Sequence, residues 1–312
     1  MSTTIPYLDE VWNVTTGCGD DMVSLGCRNC YARRMFGRNL WTEPCPDCDG
    51  SGSLGQAHDG REVSCETCGG HEDALGSGKV PQDFTPTFHA NRLDQPLHWR
   101  KPRRIGVSFM GDLFHEAITR VQIGRVLDTF IMCPQHTFLV LTKRPERMRA
   151  VIAEELRVTN MSRFLNDKLP AGLIPNLWPG VTVCNQFEAD RNIPILLDTP
   201  AAKRWVSLEP LLGAIDMRTG VYQMWADGPT LGTTLEGIDW VVLGGETGPG
   251  ARRMDPRWAT QVFNDCREAG VPFWWKQPGA HLAREDKLGP TGRDWTLWDE
   301  MVRTHELPAV TP

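Results

Sequence analysis

Three cysteines near the start of the chain, Cys18, Cys27 and Cys30 in GCGDDMVSLGCRNC, raise the first chemical question. A closed structural zinc site takes four protein ligands and a disulfide takes two, so a trio implies a partner elsewhere or a metal with one position left open. Four of the remaining cysteines, Cys45, Cys48, Cys65 and Cys68, form a C-x2-C-x16-C-x2-C pattern. That spacing is expected of a four-thiolate zinc site, and the glycines behind each pair allow the backbone to turn tightly under a thiolate. His58 and His71 stand nearby as substitute ligands, but four thiolates already fill the shell. We read this zinc as structural, because segment 41–79 is too poor in apolar residues to build a core and metal binding can supply the missing folding free energy. Cys133, Cys184 and Cys266 occur singly in apolar segments, where cysteine behaves as a small buried hydrophobe. The first trio is thus left without a fourth thiol. A site-differentiated iron–sulfur cluster, with three irons on thiolates and one open, fits it best.

The elements that must position these ligands follow downstream. RIGVSFMGD, HTFLVLTKR, NLWPGVTVCNQ, KRWVSLEP, IDWVVLGGE and VPFWWKQ are apolar runs without alternation, as in parallel strands covered on both faces. AITRVQIGRVLDTFIM and PERMRAVIAEELR have helical periodicity, and DPRWATQVFNDCREAG begins with an acid and ends at glycine, as a helix does. With a further strand near Tyr7 to Val14, the expected fold is α/β, a parallel (β/α) barrel or partial barrel, with a flat doubly wound sheet as the alternative. The expected organisation is a core of 1–40 and 80–280, a small zinc-knuckle insertion at 41–79 and a C-terminal extension at 281–312. Polar residues end the strands: Asp112; Lys143 and Arg144; Asn185 and Gln186; Glu209; Glu246; Lys276 and Gln277. In a parallel barrel these share the rim where chemistry is found. Taken singly, Asp112 also reads as a helix cap, and Glu209 and Glu246 as turn residues.

Composition bounds the partners. Of the 312 residues, 33 are Lys or Arg and 39 are Asp or Glu, giving 33 − 39 = −6, so a contact with nucleic acid would be local. HWRKPRR, from His98 to Arg104, and Arg33 with Arg34 are the candidate basic patches. The N-terminal residues lack the basic and apolar regions of a signal peptide, and no stretch approaches a membrane span. A cytoplasmic protein is expected, whose cysteines serve as metal ligands or buried thiols.

Three cysteines ending in C-x2-C ahead of a parallel βα array resemble the radical S-adenosylmethionine superfamily. The usual spacing there is C-x3-C-x2-C, against C-x8-C-x2-C here, and the aromatic that often precedes the third cysteine is replaced by Asn29, with Tyr31 following instead. VWNVTTGC, GCRNCYARRM, SFMGDLFH, FLVLTKRPERM, RWVSLEPLLG, VVLGGETGPGARRMDP and PFWWKQPG more closely resemble a family found mainly in phages and prophages and described by its three-cysteine motif. The resemblance implies a [4Fe–4S] cluster on Cys18, Cys27 and Cys30, S-adenosylmethionine on its open iron, and a 5′-deoxyadenosyl radical after one-electron reduction. It also implies roles: Met110, Gly111 and Asp112 toward the methionine amino group, Lys143 or Arg144 toward the carboxylate, and Asn185 or Glu209 toward the ribose. Glu246, Arg252, Lys276 and Gln277 would face substrate, with Glu209, Glu246 and Lys276 as the catalytic candidates. An external electron donor and a partner protein are implied. A nucleobase or nucleic acid leads over a peptide or small metabolite as substrate. Two other classes stand beside this one. One is a zinc-stabilised binding module whose trio is completed by His89 or His115; the other is a hydrolase or transferase using Glu209 and Glu246 as an acid–base pair.

Overall fold

Seven short strands pair into one sheet in which every neighbour is parallel: β1 Glu10–Trp12, β2 Arg104–Val107, β3 Thr137–Thr142, β4 Leu177–Thr182, β5 Trp205–Leu208, β6 Trp240–Gly244 and β7 Phe273–Gln277. The computed structural model describes residues 5–19, 21–36, 42–44, 53–56, 62–64, 79–81, 84–161, 173–218, 220–225, 228–232, 235–285 and 304–309. The strand order follows the sequence without a reversal. Right-handed crossovers in sequential order put the helices on one side, so the sheet curls as a half-barrel and the doubly wound alternative is excluded.

Four helices cover the outer face: α1 Arg120–Met132, α2 Pro145–Met161, α3 Gln186–Leu197 and α4 Pro256–Ala269. Their boundaries are written locally. Thr119 and Gln122 form a reciprocal capping box at α1, while α4 opens on Asp255 and Pro256 and stops at Gly270, whose φ of 68° is the left-handed conformation that favours glycine. The main core lies between this layer and the sheet. Phe130 of α1, Met148 of α2, Ile193 of α3 and Val262 of α4 pack with Val107, Val140, Val206, Val241 and Phe273 from the strands.

The inner face is filled differently. Trp178, Trp205, Trp240 and Trp274, with Tyr7, form a separate aromatic cluster across the lower part of the curl. Tyr7 meets Trp240 edge-on at 5.2 Å between centroids. Trp205 fits because β4 carries Gly180 opposite it, where a Cβ would lie 2.5 Å from the indole. The tryptophans therefore serve packing, and the half-barrel has a floor.

The C-terminal extension is partly an edge strand. Thr304 to Glu306 run antiparallel along β7, with Trp275 N donating to Thr304 O and Glu306 N to Phe273 O, and Glu306 O accepts the Trp240 indole at 2.8 Å. A one-sided edge is thereby covered.

The chain divides into two compact units, Met1–Asn29 with Pro86–Pro312, and Cys30–Thr85. The second contains a short helix, Tyr31–Phe36, and two antiparallel pairs, Thr42–Pro44 with Lys79–Pro81 and Ser53–Gln56 with Glu62–Ser64. Inside it Phe84 packs edge-on against Phe36 and lies under the Arg33 guanidinium. The expected zinc ligands Cys45, Cys48, Cys65 and Cys68 lie outside the described residues, as do His58 and His71. Among the described residues no helix is long and apolar enough to cross a membrane.

Candidate functional site

The backbone leading to Cys18 is bonded directly to the end of β2. Gly17 N donates to Met110 O at 2.9 Å, and Gly17 bridges Gly111 in parallel. This approach requires glycine at 111, since a Cβ there would sit 2.8 Å from both Gly17 O and Thr16 C. Gly111→Ala is therefore expected to lower stability by about 1–3 kcal/mol through overpacking and to loosen this segment. Urea unfolding measures the first effect and proteolytic susceptibility around residue 18 the second.

Asp112 and Arg144 form the hub beneath this loop. Asp112 Oδ1 accepts from Thr142 Oγ1 and Phe114 N, and Oδ2 accepts from Lys143 N and Arg144 Nη1, so the carboxylate's acceptor capacity is filled. Arg144 is buried and engages three acids at once, with Nε to Glu116 at 2.9 Å, Nη1 to Asp112 at 3.2 Å and Nη2 to Asp21 at 3.3 Å. Burial opposes its charge, but Asp112, Glu116 and the nearby Cys18 outweigh that and push the guanidinium's pKa up. Asp21, three residues past Cys18, is thereby tied down.

Asp21, His115 and Glu116 also lie close enough to share a cation. His115 Nδ1 accepts the Ala117 N–H at 3.0 Å, which puts the ring proton on Nε2, directed at Asp21 Oδ2 3.2 Å away. A metal on that nitrogen would displace the proton and crowd Arg144. The Arg144 guanidinium already pairs with both carboxylates of this cluster.

The Cys27 turn is held by two other carboxylates. Leu25–Cys27 is a 3-10 turn capped by Ser24, and Glu188, in the first turn of α3, accepts from Ser24 Oγ at 3.1 Å, Leu25 N at 2.9 Å and Cys184 N at 2.9 Å. Beyond β6, Glu246 accepts from Asn29 Nδ2 and from Arg252 N and Nε, while Arg252 Nη2 reaches both Glu246 Oε1 and Leu25 O. Burial works against ionisation of Glu246, but the bonds from Arg252 and Asn29 prevail and hold its carboxyl below the usual range.

Glu209 and Lys276, two of the sequence-derived catalytic candidates, meet at the ends of β5 and β7. Lys276 Nζ lies 2.6 Å from Glu209 Oε2, and Gln277 Nε2 donates to Oε1 at 3.1 Å. Glu246, the third, is paired with Arg252. Asn185 caps α3 by accepting from Glu188 N. Ser207 Oγ, level with Thr182 across β4 and β5, is buried with no hydrogen-bond partner among the described residues.

Cys18, Cys27 and Cys30 are part-exposed, whereas Cys133, Cys184 and Cys266 are buried. Burial, reinforced by the Glu188 charge, pushes the Cys184 thiol up to about 12, and burial likewise raises Cys133 and Cys266. These three behave as apolar side chains. His89 Nε2 is bonded to Thr16 Oγ1 at 2.8 Å, and burial depresses its pKa.

Residues 2–305 match the family described as Protein of unknown function (DUF5131). The chain belongs to the DUF5131 family. No curated protein and no solved structure matches it.

In this DUF5131 chain, sequence reasoning located the strand-end residues but missed Asp21, Glu116 and Glu188. The signal for Glu188 was present as N-x-x-E at a helix start, which reads as an ordinary cap. The basic stretch lies at the opposite end of the sheet. There Arg103 pairs with Glu10 at 2.6 Å and Arg104 with Asp9 at 3.2 Å, just ahead of β2 and at its first residue.

Proposed function

We propose that this protein is a radical S-adenosylmethionine-type enzyme whose Cys18, Cys27 and Cys30 hold a [4Fe–4S] cluster. The observation that carries the reading is the anchoring of the Cys18 and Cys27 segments to the C-terminal ends of the parallel strands, through Gly111, Arg144, Glu188 and Glu246. Chemistry on α/β barrels gathers at that end of the strands. The donor set fits the group, since three part-exposed thiols are suited to iron while the buried ones are not. Such a cluster, with S-adenosylmethionine bound, supplies one-electron cleavage and hydrogen abstraction from carbon.

The chain's own residues would divide the work. Arg144, Asp112 and Glu246, whose bonding is filled within the protein, hold the cysteine segments. The backbone of Met110 and Gly111, together with Lys143, Asn185 and the orphaned Ser207 hydroxyl, would meet S-adenosylmethionine. Glu209, with Lys276 and Gln277 each donating to its carboxylate, forms an acid–base–amide group suited to orienting a polar substrate. A nucleobase or nucleic acid in a phage setting, an external electron donor, a partner protein, structural zinc on Cys45, Cys48, Cys65 and Cys68, and a cytoplasmic location complete the proposal.

Anaerobic purification with iron, sulfide and zinc analysis, repeated on Cys27→Ala and Cys45→Ala, tests it. About four irons and one zinc per chain are expected, with iron lost only in Cys27→Ala and zinc only in Cys45→Ala. About two zincs and no iron after reconstitution would favour the zinc-stabilised binding module instead.

A further inference from the structure

We infer that Glu188 is the positioning residue of the Cys27 turn, an inference that rests on the cluster reading above. At a helix start of the form N-x-x-E, the glutamate ordinarily turns back to the cap's own N–H. Here Asn185 accepts from Glu188 N as a cap should, but the Glu188 carboxylate passes beyond Asn185. Its Oε2 takes Cys184 N and Ser24 Oγ, and its Oε1 takes Leu25 N. One side chain thus bonds the end of β4 to a turn 163 positions earlier in the chain.

Burial makes this a strong constraint. Glu188 is 4% exposed, and a carboxylate so far from water is tolerated only when its oxygens are satisfied by directed donors. The N-terminal turn of α3 adds a favourable dipole. The turn is also pressed onto the strand ends: a Cβ at Gly26 would lie 3.1 Å from both Cys184 Sγ and Pro210 Cδ. Cys27 N closes the same turn on Ser24 O at 3.0 Å. Fixing Ser24 and Leu25 therefore fixes the backbone from which the Cys27 thiol projects. The carboxylate also places negative charge beside that turn, which disfavours reduction of any metal group held there.

Glu188→Gln keeps the volume but turns an amide N–H₂ toward donors, and Glu188→Ala removes all three bonds. Asp265→Asn is the control, because Asp265 is a buried carboxylate holding a different loop through Met217 N. In protein without metal, amide hydrogen exchange over residues 22–29 is expected to accelerate about tenfold or more in Glu188→Ala, to a lesser degree in Glu188→Gln, and not in Asp265→Asn. In reconstituted protein, iron release to a chelator should accelerate by about the same factor. In Glu188→Gln that still holds iron, the reduced-to-oxidised ratio at fixed potential should rise up to about tenfold, equivalent to about 59 mV for a one-electron couple. Unchanged exchange in both Glu188 variants overturns the positioning role. Faster exchange with unchanged iron release and potential overturns its bearing on Cys27. A wild-type protein that takes up no iron sinks the cluster reading itself, and the exchange comparison then decides Glu188's hold on the turn alone.

Discussion

Replacing Arg144 with methionine is expected to cost about 3–5 kcal/mol of folding stability, the usual result of stripping the partner from a buried charge. The three acids around Arg144 do not contribute equally. Asp21 and Glu116 are 56% and 64% exposed, so water takes over when the guanidinium leaves and their ion pairs are worth little. Asp112 is 5% exposed and has no such recourse. It would retain Thr142 Oγ1 and two backbone donors, yet remain charged in a low-dielectric setting without its cation. Thermal unfolding should shift downward by on the order of 10 °C for a chain of this size. Arg144→Lys should lose less, since it keeps the charge and forfeits only the three-sided fork. A loss under about 1 kcal/mol in Arg144→Met would mean that the neutral donors alone satisfy Asp112.

Trp240→Ala should be comparably severe, at about 3–5 kcal/mol, for an unrelated reason. The indole is fully buried at the centre of the inner aromatic cluster, against Tyr7, Trp205 and Trp274. Its Nε1 also donates to Glu306 O, so truncation leaves a cavity and a carbonyl on the C-terminal edge segment without its partner. Trp240→Phe separates the two contributions, because it keeps most of the ring packing while losing the hydrogen bond, and should cost about 1–2 kcal/mol. Equal losses for both variants in urea unfolding would show that the bond to Glu306, and not the cavity, dominates.

The sheet was legible in the sequence because its information is local. An apolar run such as WVVLG needs no distant partner to announce a buried strand, and Asp255 with Gly270 marks both ends of α4 within sixteen residues. The aromatic floor was half legible: tryptophans in strands read as core, but only the curl puts them on the inner face, apart from the helix-covered core. The strand-end residues were found by position and not by bonding state. Arg144 reads as a free cation until Asp21, Asp112 and Glu116 are seen around it, and the bonds that Arg252 and Asn29 make to Glu246 leave no local trace in the sequence. Pairings of that kind are invisible to periodicity, since the partners stand up to 217 positions apart. Glu188 was obscured by its own motif, which local rules account for fully as a helix cap.

Those separations also impose an order in time. The bonds that hold the Cys18 and Cys27 segments span 123 positions from Asp21 to Arg144, 163 from Leu25 to Glu188 and 217 from Asn29 to Glu246. At roughly 5–20 residues per second, the ribosome needs roughly 10–40 s to travel from Asn29 to Glu246. During that interval Cys18 and Cys27 have emerged while most of their supports do not yet exist. Segment 17–29 is thus made before the strand ends that hold it, and it is among the last parts of the half-barrel to acquire its shape, since its bonds wait for the sixth strand and the residues that follow it.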